Sequence, residues 1–242
     1  MDITYLIFVL PFVALSMIAS FMVNSRFKEY NKVISKRGIS GAQAAQLLLR
    51  ENEITDVEIT HINGQLTDNY NSLNKTLNLS DATYASKSIA AIGVAAHETG
   101  HAIQHKVGYG PLGLRSTLVP VANIGSRFGP MLAIAGIILG ANAGNTTSIG
   151  PLITNIGLLL FCGAVLFYLV TLPVEFDASA RALKILQETN TLDEEELAGV
   201  KKVLWAAAMT YVASALTAIG NLLRLVVLSR SSRDARIYNE SE

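Results

Sequence analysis

The sequence reads His97-Glu98-Thr99-Gly100-His101 near its middle, and this stretch sets two imidazoles one helical turn apart. On an α-helix, residues four positions apart share one face and lie about 6 Å apart along the axis, so His97 and His101 can bind one metal ion together. Glu98 then lies beside the metal without binding it. The pattern is typical of hydrolytic zinc sites, in which zinc-bound water attacks a carbonyl carbon after a carboxylate has taken its proton. We therefore predict a zinc-binding helix with Glu98 as the general base.

The flanks of the motif predict where this helix begins and ends. Ser80-Asp81 is a helix-start signal, an alanine-rich stretch follows, and Gly108-Tyr109-Gly110-Pro111 supplies a glycine stop and a proline. The predicted helix therefore covers about residues 81–107. Gly100 is small, which lets another element approach the metal-binding face closely.

Composition predicts a membrane protein. Half of the residues are hydrophobic, and 19 basic residues balance 19 acidic ones, which excludes the basic surface of a nucleic-acid-binding protein. Long apolar stretches can cross a bilayer as helices, because a helix satisfies its own backbone hydrogen bonds. The predicted crossings are residues 3–23, 118–141 and 149–172, and a fourth apolar helix covers residues 203–228. We predict a mainly α membrane protein with three or four transmembrane helices, built as one metallopeptidase domain with a small α+β cytoplasmic part.

Basic residues predict the orientation of the chain. They follow the first crossing closely, as Arg26, Lys28, Lys32, Lys36 and Arg37. The positive-inside rule places these residues in the cytoplasm. The loop at 142–150 carries no Lys or Arg, and the same rule places it outside. Residues 25–117 and 173–202 are then both cytoplasmic, so the zinc helix and the segment after the third crossing share one side of the membrane.

The fourth apolar stretch is either a crossing or an interfacial helix. Its polar residues recur every three or four positions and form one stripe, which consists of Thr210, Ser214, Thr217, Asn221 and Arg224. Such a stripe can face the interior of a helix bundle. The arginines after it would lie outside if the helix crosses, against the charge rule. The pattern favours a packed helix and leaves the side of the carboxy terminus open.

The polar segment before the zinc helix predicts a small α+β unit. Ser40 opens a capping box for a helix that ends near Glu51, residues 57–62 alternate as a strand, and residues 76–80 form a second strand. Asn63-Gly64 is a turn signal. The edge of this sheet either binds an extended peptide as an added strand or only covers the helix.

The third zinc ligand is predicted to be Glu175, which follows Pro173 at the inner end of the third crossing. We place it near the start of a helix that the preceding crossing brings beside the zinc helix. Asp177 is the alternative ligand. The competing interpretation is that Glu175 only caps the positive end of a helix.

Three other residues are candidates for supporting roles. His105 stands about 12 Å from His97 along a continuous helix, which is too far for both to bind one ion. We predict that His105 either supports a metal ligand through a hydrogen bond or lies at the surface. His61 is predicted to be structural. Arg127, one turn after Asn123 at the entrance of the second crossing, either binds a substrate carbonyl or carboxylate or extends to the membrane interface.

These residues together resemble the bacterial YugP-like neutral zinc metallopeptidases, which are small membrane proteins. The resemblance covers nearly the whole chain and is carried by the first crossing and by the stretches 38–48, 66–70, 93–104 and 172–179. It implies a gluzincin-type peptidase that binds one zinc ion per chain through His97, His101 and Glu175 and uses Glu98 as the base. It also implies a bacterial cell membrane protein, with the lipid bilayer and a protein or peptide substrate as partners.

More distantly, the chain is similar to membrane zinc endopeptidases of the CAAX prenyl and heat-shock quality-control types. In these an aspartate follows the third ligand by four residues. Here that position holds Ser179, and the nearby acid is Asp177. Both are candidates to orient a metal ligand through a hydrogen bond.

Two other classes of protein share some of these features. A non-catalytic zinc-binding scaffold or transporter would have no use for Glu98, which is a base rather than a ligand. A site-2-type intramembrane protease would place the motif within a crossing, but Lys87, Gln104 and Lys106 make this helix poorly suited to lipid. We therefore predict an endopeptidase that acts on membrane proteins or peptides at the cytoplasmic membrane surface.

Overall fold

The computed structural model describes residues 3–142 and 149–240. These residues are mainly helical with one small sheet, which confirms the predicted fold class. The helices are α1 (Ile3–Phe8), α2 (Leu10–Tyr30), α3 (Gly41–Glu51), α4 (Ile89–Lys106), α5 (Gly110–Asn142), α6 (Ile149–Glu188) and α7 (Glu194–Glu240). The strands are β1 (Glu58–Ile62), β2 (Asn69–Asn71) and β3 (Thr76–Ser80).

Four helical segments of the described residues are long and apolar enough to cross a membrane. They are Ile3–Tyr30, Gly110–Gly140, Ile149–Glu188 and Glu194–Ser232. Each overlaps one of the predicted apolar stretches, whereas α4, which carries the histidines, is not among them. Of the loop predicted at 142–150, residues 143–148 lie outside the described residues.

One compact unit consists of Met1–Met17, Leu114–Thr171 and Tyr211–Glu242. In this unit α5 and α6 approach closely, because a Cβ added at Gly125 would lie 2.1 Å from the carbonyl oxygen of Leu160. Small residues allow such contacts between membrane helices. The hydroxyl of Thr217, in the predicted polar stripe, lies 3.2 Å from that of Ser16. At this position the stripe faces a neighbouring helix.

The second compact unit consists of Ile18–Gly113 and Leu172–Thr210. Its sheet has the order β1-β3-β2, with β1 and β3 parallel and β2 antiparallel to β3. An apolar core between the sheet, α3, α4 and α6 includes Leu48, Leu77, Ile92 and Leu186. This unit holds both histidines of the motif and Glu175.

The structure confirms several local predictions and adds a strand. Ser40 and Gln43 form the capping box of α3, and both predicted strands are present as β1 and β3. β2 was not predicted, because its three residues, Asn69–Asn71, carry too few apolar positions to show alternation. Gly108 adopts a φ of +64° after the end of α4, which confirms the predicted glycine stop.

The start of the zinc helix was predicted wrongly at Ser80-Asp81. α4 begins at Ile89, and the hydroxyl of its N-cap Ser88 accepts a hydrogen bond from the N–H of Ala91 at 3.1 Å. Ser80 is the last residue of β3, and its hydroxyl donates to Asp68 at 2.8 Å. The N–H and the hydroxyl of Ser80 both donate to Asp68, which holds Ser80 at the end of β3, so the helix begins only at Ser88.

Candidate metal centre

The histidines of α4 lie on one face, as predicted, in a largely buried position. The ring centroids of His97 and His101 are 4.8 Å apart with an edge-on arrangement. Their side chains are 12% and 8% exposed. Glu98, beside them, is also buried. The carboxylate and the two imidazoles therefore stand in surroundings with little water, where their mutual electrostatic interactions are strong.

Glu175 of α6 lies against both imidazoles. Its Oε2 is 3.1 Å from Nε2 of His97 and 3.6 Å from Nε2 of His101. One ligand atom from each of the three residues lies within 4.8 Å of the others, and Glu175 is almost completely buried. Among the described residues, this is the group of His, Cys, Asp and Glu side chains close enough to hold a metal ion.

Glu175 does not begin a helix, contrary to the prediction. α6 continues through Pro173 from Ile149 to Glu188, so Glu175 lies well inside it. Proline inside an apolar helix is tolerated even though it lacks an N–H donor, because neighbouring groups can satisfy the freed carbonyl. The competing interpretation, in which Glu175 caps the positive end of a helix, therefore does not apply.

Gly100 explains how α6 comes so close to α4. A Cβ built on Gly100 would lie 2.5 Å from the carbonyl oxygen of Ala178, so any larger residue would push the backbone of α6 away. Ala178 lies one turn after Glu175. The predicted role of this small residue, to allow a close approach at the metal-binding face, agrees with this geometry.

Each imidazole is also held on the nitrogen that faces away from Glu175. Nδ1 of His97 lies 3.1 Å from the hydroxyl of Ser179, and Nδ1 of His101 lies 2.9 Å from Oε1 of Gln104. The amide nitrogen of Gln104 donates to Asp177 and to the carbonyl oxygen of Val174, both at 2.8 Å. Since those two groups only accept, Oε1 is left to accept from Nδ1–H of His101, and Nε2 is the nitrogen that could bind a metal ion.

Asp177 supports this arrangement and lies outside the three-residue cluster. Its carboxylate accepts hydrogen bonds from Gln104 and, at 2.6 Å, from Nε of Arg181. Arg181 in turn lies 5.7 Å from the centre of the Tyr109 ring. The sequence interpretation named Ser179 and Asp177 as supports but missed Gln104. Its position three residues after His101, on the same side of a helix, was the available signal.

The other candidate residues have different partners. Nδ1 of His105 lies 2.8 Å from the hydroxyl of Tyr70, and His105 is exposed. His61 forms a hydrogen bond with Asp81 at 2.7 Å. Arg127 belongs to the other compact unit, where its guanidinium lies 5.6 Å from the ring of Phe128. Its role towards a substrate stays a prediction.

The donor set fits a zinc ion. Two imidazole nitrogens and one carboxylate oxygen are ligands that catalytic zinc sites use, and each imidazole has the second hydrogen bond that fixes its ring. Burial raises the pKa of the Glu98 carboxyl above its usual value, although the neighbouring histidines partly oppose this shift. A higher pKa makes this carboxylate a stronger base, which suits the role predicted for it.

Two histidines and a glutamate beside a further carboxylate are the residue types found at the sites of zinc metallopeptidases. The sequence model of a family described as "Putative neutral zinc metallopeptidase" matches residues 5–230, and the chain belongs to this family. It is 42% identical over 220 residues to the "Putative membrane protease YugP" of Bacillus subtilis (strain 168), across 91% of this chain and 94% of that protein. No solved structure matches it. The resemblance drawn from the sequence motifs is therefore confirmed.

Replacing Gln104 by leucine is expected to weaken zinc binding about 10- to 100-fold, because His101 loses the acceptor that orients its ring. Zinc affinity is measured by competition with a chelator. Gln187→Leu, at an exposed position of α6, serves as the control and leaves the affinity unchanged. Equal zinc affinity of the Gln104→Leu and Gln187→Leu proteins would contradict the orienting role. Thermal unfolding of both metal-free proteins shows whether a loss of folding contributes.

Proposed function

We propose that this chain is a zinc-dependent endopeptidase that acts on membrane proteins or peptides at the cytoplasmic membrane surface. The observation that carries the proposal is the convergence of His97, His101 and Glu175 beside the buried carboxylate of Glu98. Membership of a zinc metallopeptidase family and the name of the Bacillus subtilis relative support it.

The residues divide the chemistry between them. His97, His101 and Glu175 would hold the zinc ion, which when bound polarises a carbonyl and activates water. Glu98 accepts a proton from the attacking water and returns it to the amine nitrogen as the peptide bond breaks. Ser179 and Gln104 keep the two imidazoles in place by their hydrogen bonds.

The edge strand β2 supports an extended peptide as the substrate. β2 pairs with β3 on one side and is the last strand of the sheet on the other. It lies beside α4, since the hydroxyl of Tyr70 in β2 contacts His105 of α4. An extended peptide can add to such an edge through backbone hydrogen bonds. These bonds do not involve the side chains of the peptide, so peptides of many sequences can bind in this way. This geometry favours the substrate-binding interpretation of the sheet edge.

A site-2-type protease is disfavoured by the same structure. In that class the zinc helix lies within the membrane. Here α4 is not one of the segments, among the described residues, that are apolar enough to cross. Its last turn carries Lys106, whose ammonium donates to the carbonyl oxygen of Asn52 at 2.6 Å. The proposal therefore places the peptide cleavage outside the bilayer core.

The zinc dependence is tested on the purified full-length protein with a peptide library. Removal of metal by a chelator is expected to abolish cleavage, and added zinc is expected to restore it. In the proposed mechanism the water molecule is activated by the bound zinc ion. Zinc content is measured in parallel. If the protein binds zinc but cleaves no peptide, it is a non-catalytic zinc-binding scaffold. If cleavage persists without metal, the assigned chemistry is wrong.

The side of the membrane is tested by labelling of introduced cysteines. Leu73 is 95% exposed in the unit that holds the metal centre, and Cys162 is the single cysteine of the chain. Leu73→Cys in a Cys162→Ser background is expected to react with a membrane-impermeant maleimide only after the cells are permeabilised. Asn145→Cys, in the loop predicted outside, is the control and reacts in intact cells. Labelling of Leu73→Cys in intact cells would place the centre outside.

A further inference from the structure

A cleft of about 380 Å³ lies where α2 and α7 meet, in the same compact unit as the metal centre but formed by other residues. One part of its lining is apolar or small, and the other part is basic. The lining residues are Met22, Arg26, Ala198, Lys201, Lys202, Trp205 and Ala206. The cleft thus combines an apolar surface with three cationic side chains and no carboxylate.

The cations stand at the ends of two uncharged stretches. Arg26 is the first charged residue after residues 3–25, and Lys202 is the last one before residues 203–223. Both stretches belong to segments apolar and long enough to cross a membrane. A cation at the end of such a stretch lies at the level of the lipid headgroups. The exposed indole of Trp205 is typical of the same level.

The basic side of the cleft keeps an excess of positive charge. Arg26 is paired with Glu29 at 2.8 Å, which offsets one charge. The ammonium of Lys202 lies 5.7 Å from the ring centre of Tyr30 and has no carboxylate beside it among the described residues. Lys201 is exposed and forms no ion pair with any residue that the structure describes. Two ammonium groups are therefore available to an anionic ligand.

We propose that this cleft binds an anionic phospholipid. The phosphodiester lies against Lys201, Lys202 and Arg26, and the first acyl carbons lie along Trp205 and Met22. Basic pockets beside membrane helices on the cytoplasmic side recognise lipid headgroups in this way. A free phosphate ion would make no contact with the apolar part of the cleft. The lining therefore favours a ligand that carries an acyl chain as well as a phosphate group.

Trp205 makes the proposal directly measurable, because it is the single tryptophan of the chain. The full-length protein is placed in micelles that contain phosphatidylcholine. Its fluorescence is then quenched with phosphatidylglycerol or phosphatidylcholine that carries brominated acyl chains. Phosphatidylglycerol is expected to quench at an at least about fivefold lower mole fraction, since a basic residue near an anionic headgroup contributes about that factor. Millimolar inorganic phosphate is expected not to compete.

Variants show whether the lipid binds to the residues of this cleft or is attracted by basic residues in general. Lys201→Gln and the double variant Lys201→Gln with Lys202→Gln are expected to lower the preference stepwise towards equal quenching. The matched control changes Lys28 and Lys32, two exposed lysines that follow the first crossing but do not line the cleft, to glutamine, and it retains the preference.

Three results would overturn the proposal. Equal quenching of the wild-type protein by the two lipids would show an apolar surface without headgroup selectivity. Competition by inorganic phosphate would identify a free anion as the ligand, and equal losses in the two sets of variants would show only diffuse attraction. None of these measurements depends on peptidase activity, so the lipid site and the proposed function are tested separately.

Discussion

Replacing Glu98 by glutamine is expected to slow peptide cleavage by at least about 100-fold and to leave the zinc content unchanged. Glutamine keeps the size of the side chain but cannot accept the proton of the attacking water. Proton transfer by a positioned side chain contributes about 100- to 10,000-fold, and a loss of kcat/KM in this range is the expected result. Because Glu98 is adjacent to the ligands without being one, zinc binding by His97 and His101 stays intact.

The control for this variant is Glu188→Gln, at an exposed position near the end of α6. It is expected to cleave peptides at the wild-type rate. Cleavage is measured with the same peptide in both variants, and zinc is measured by elemental analysis. A Glu98→Gln protein that cleaves normally would remove Glu98 from the proposed mechanism. A Glu98→Gln protein that has lost its zinc would show that Glu98 contributes to metal binding and not to proton transfer.

Replacing Glu175 by glutamine is expected to weaken zinc binding by more than about 100-fold, the upper end of the range for residues that only support ligands. The carboxylate is 2% exposed and lies 3.1 Å from Nε2 of His97. Glutamine retains an oxygen at this place but carries no negative charge, so it is a weak ligand for a divalent cation. Cleavage is expected to be lost together with the metal.

Chelator competition measures this affinity, and Glu188→Gln in the same helix again provides the matched comparison. If Glu175→Gln binds zinc as tightly as Glu188→Gln, another residue must be the third ligand, and the proposed centre is wrong. If it binds zinc normally but cleaves poorly, Glu175 acts on the reaction and not on the metal. The measurement therefore distinguishes the assigned role of Glu175 from both alternatives.

The sequence was sufficient to predict the parts of the site that depend on local spacing. Two histidines four residues apart in an alanine-rich segment predict one helical face, and His97 and His101 share that face in the structure. The need for a third donor on the same side of the membrane pointed to Glu175, which lies against them. The capping box at Ser40 is likewise a short-range signal, and the structure contains it.

The remaining features depend on contacts between distant segments. Ser80 was an acceptable helix cap by sequence, but it ends β3, where Asp68 accepts from its N–H and its hydroxyl, and only the fold shows these contacts. α6 continues through Pro173, a residue that by sequence indicates the boundary of a helix. The role of Gln104 requires that Asp177 be brought beside it, and no spacing along the chain shows that contact.

The candidate metal ligands come from two helices that are far apart in the sequence, since His97 and Glu175 are 78 residues apart. A bound ion would therefore act as a clip that closes a long loop of the chain. Closing such a loop removes conformational freedom from the unfolded state, and metal affinity then becomes part of the folding free energy. Without the ion, the protein would lose this contribution to its stability.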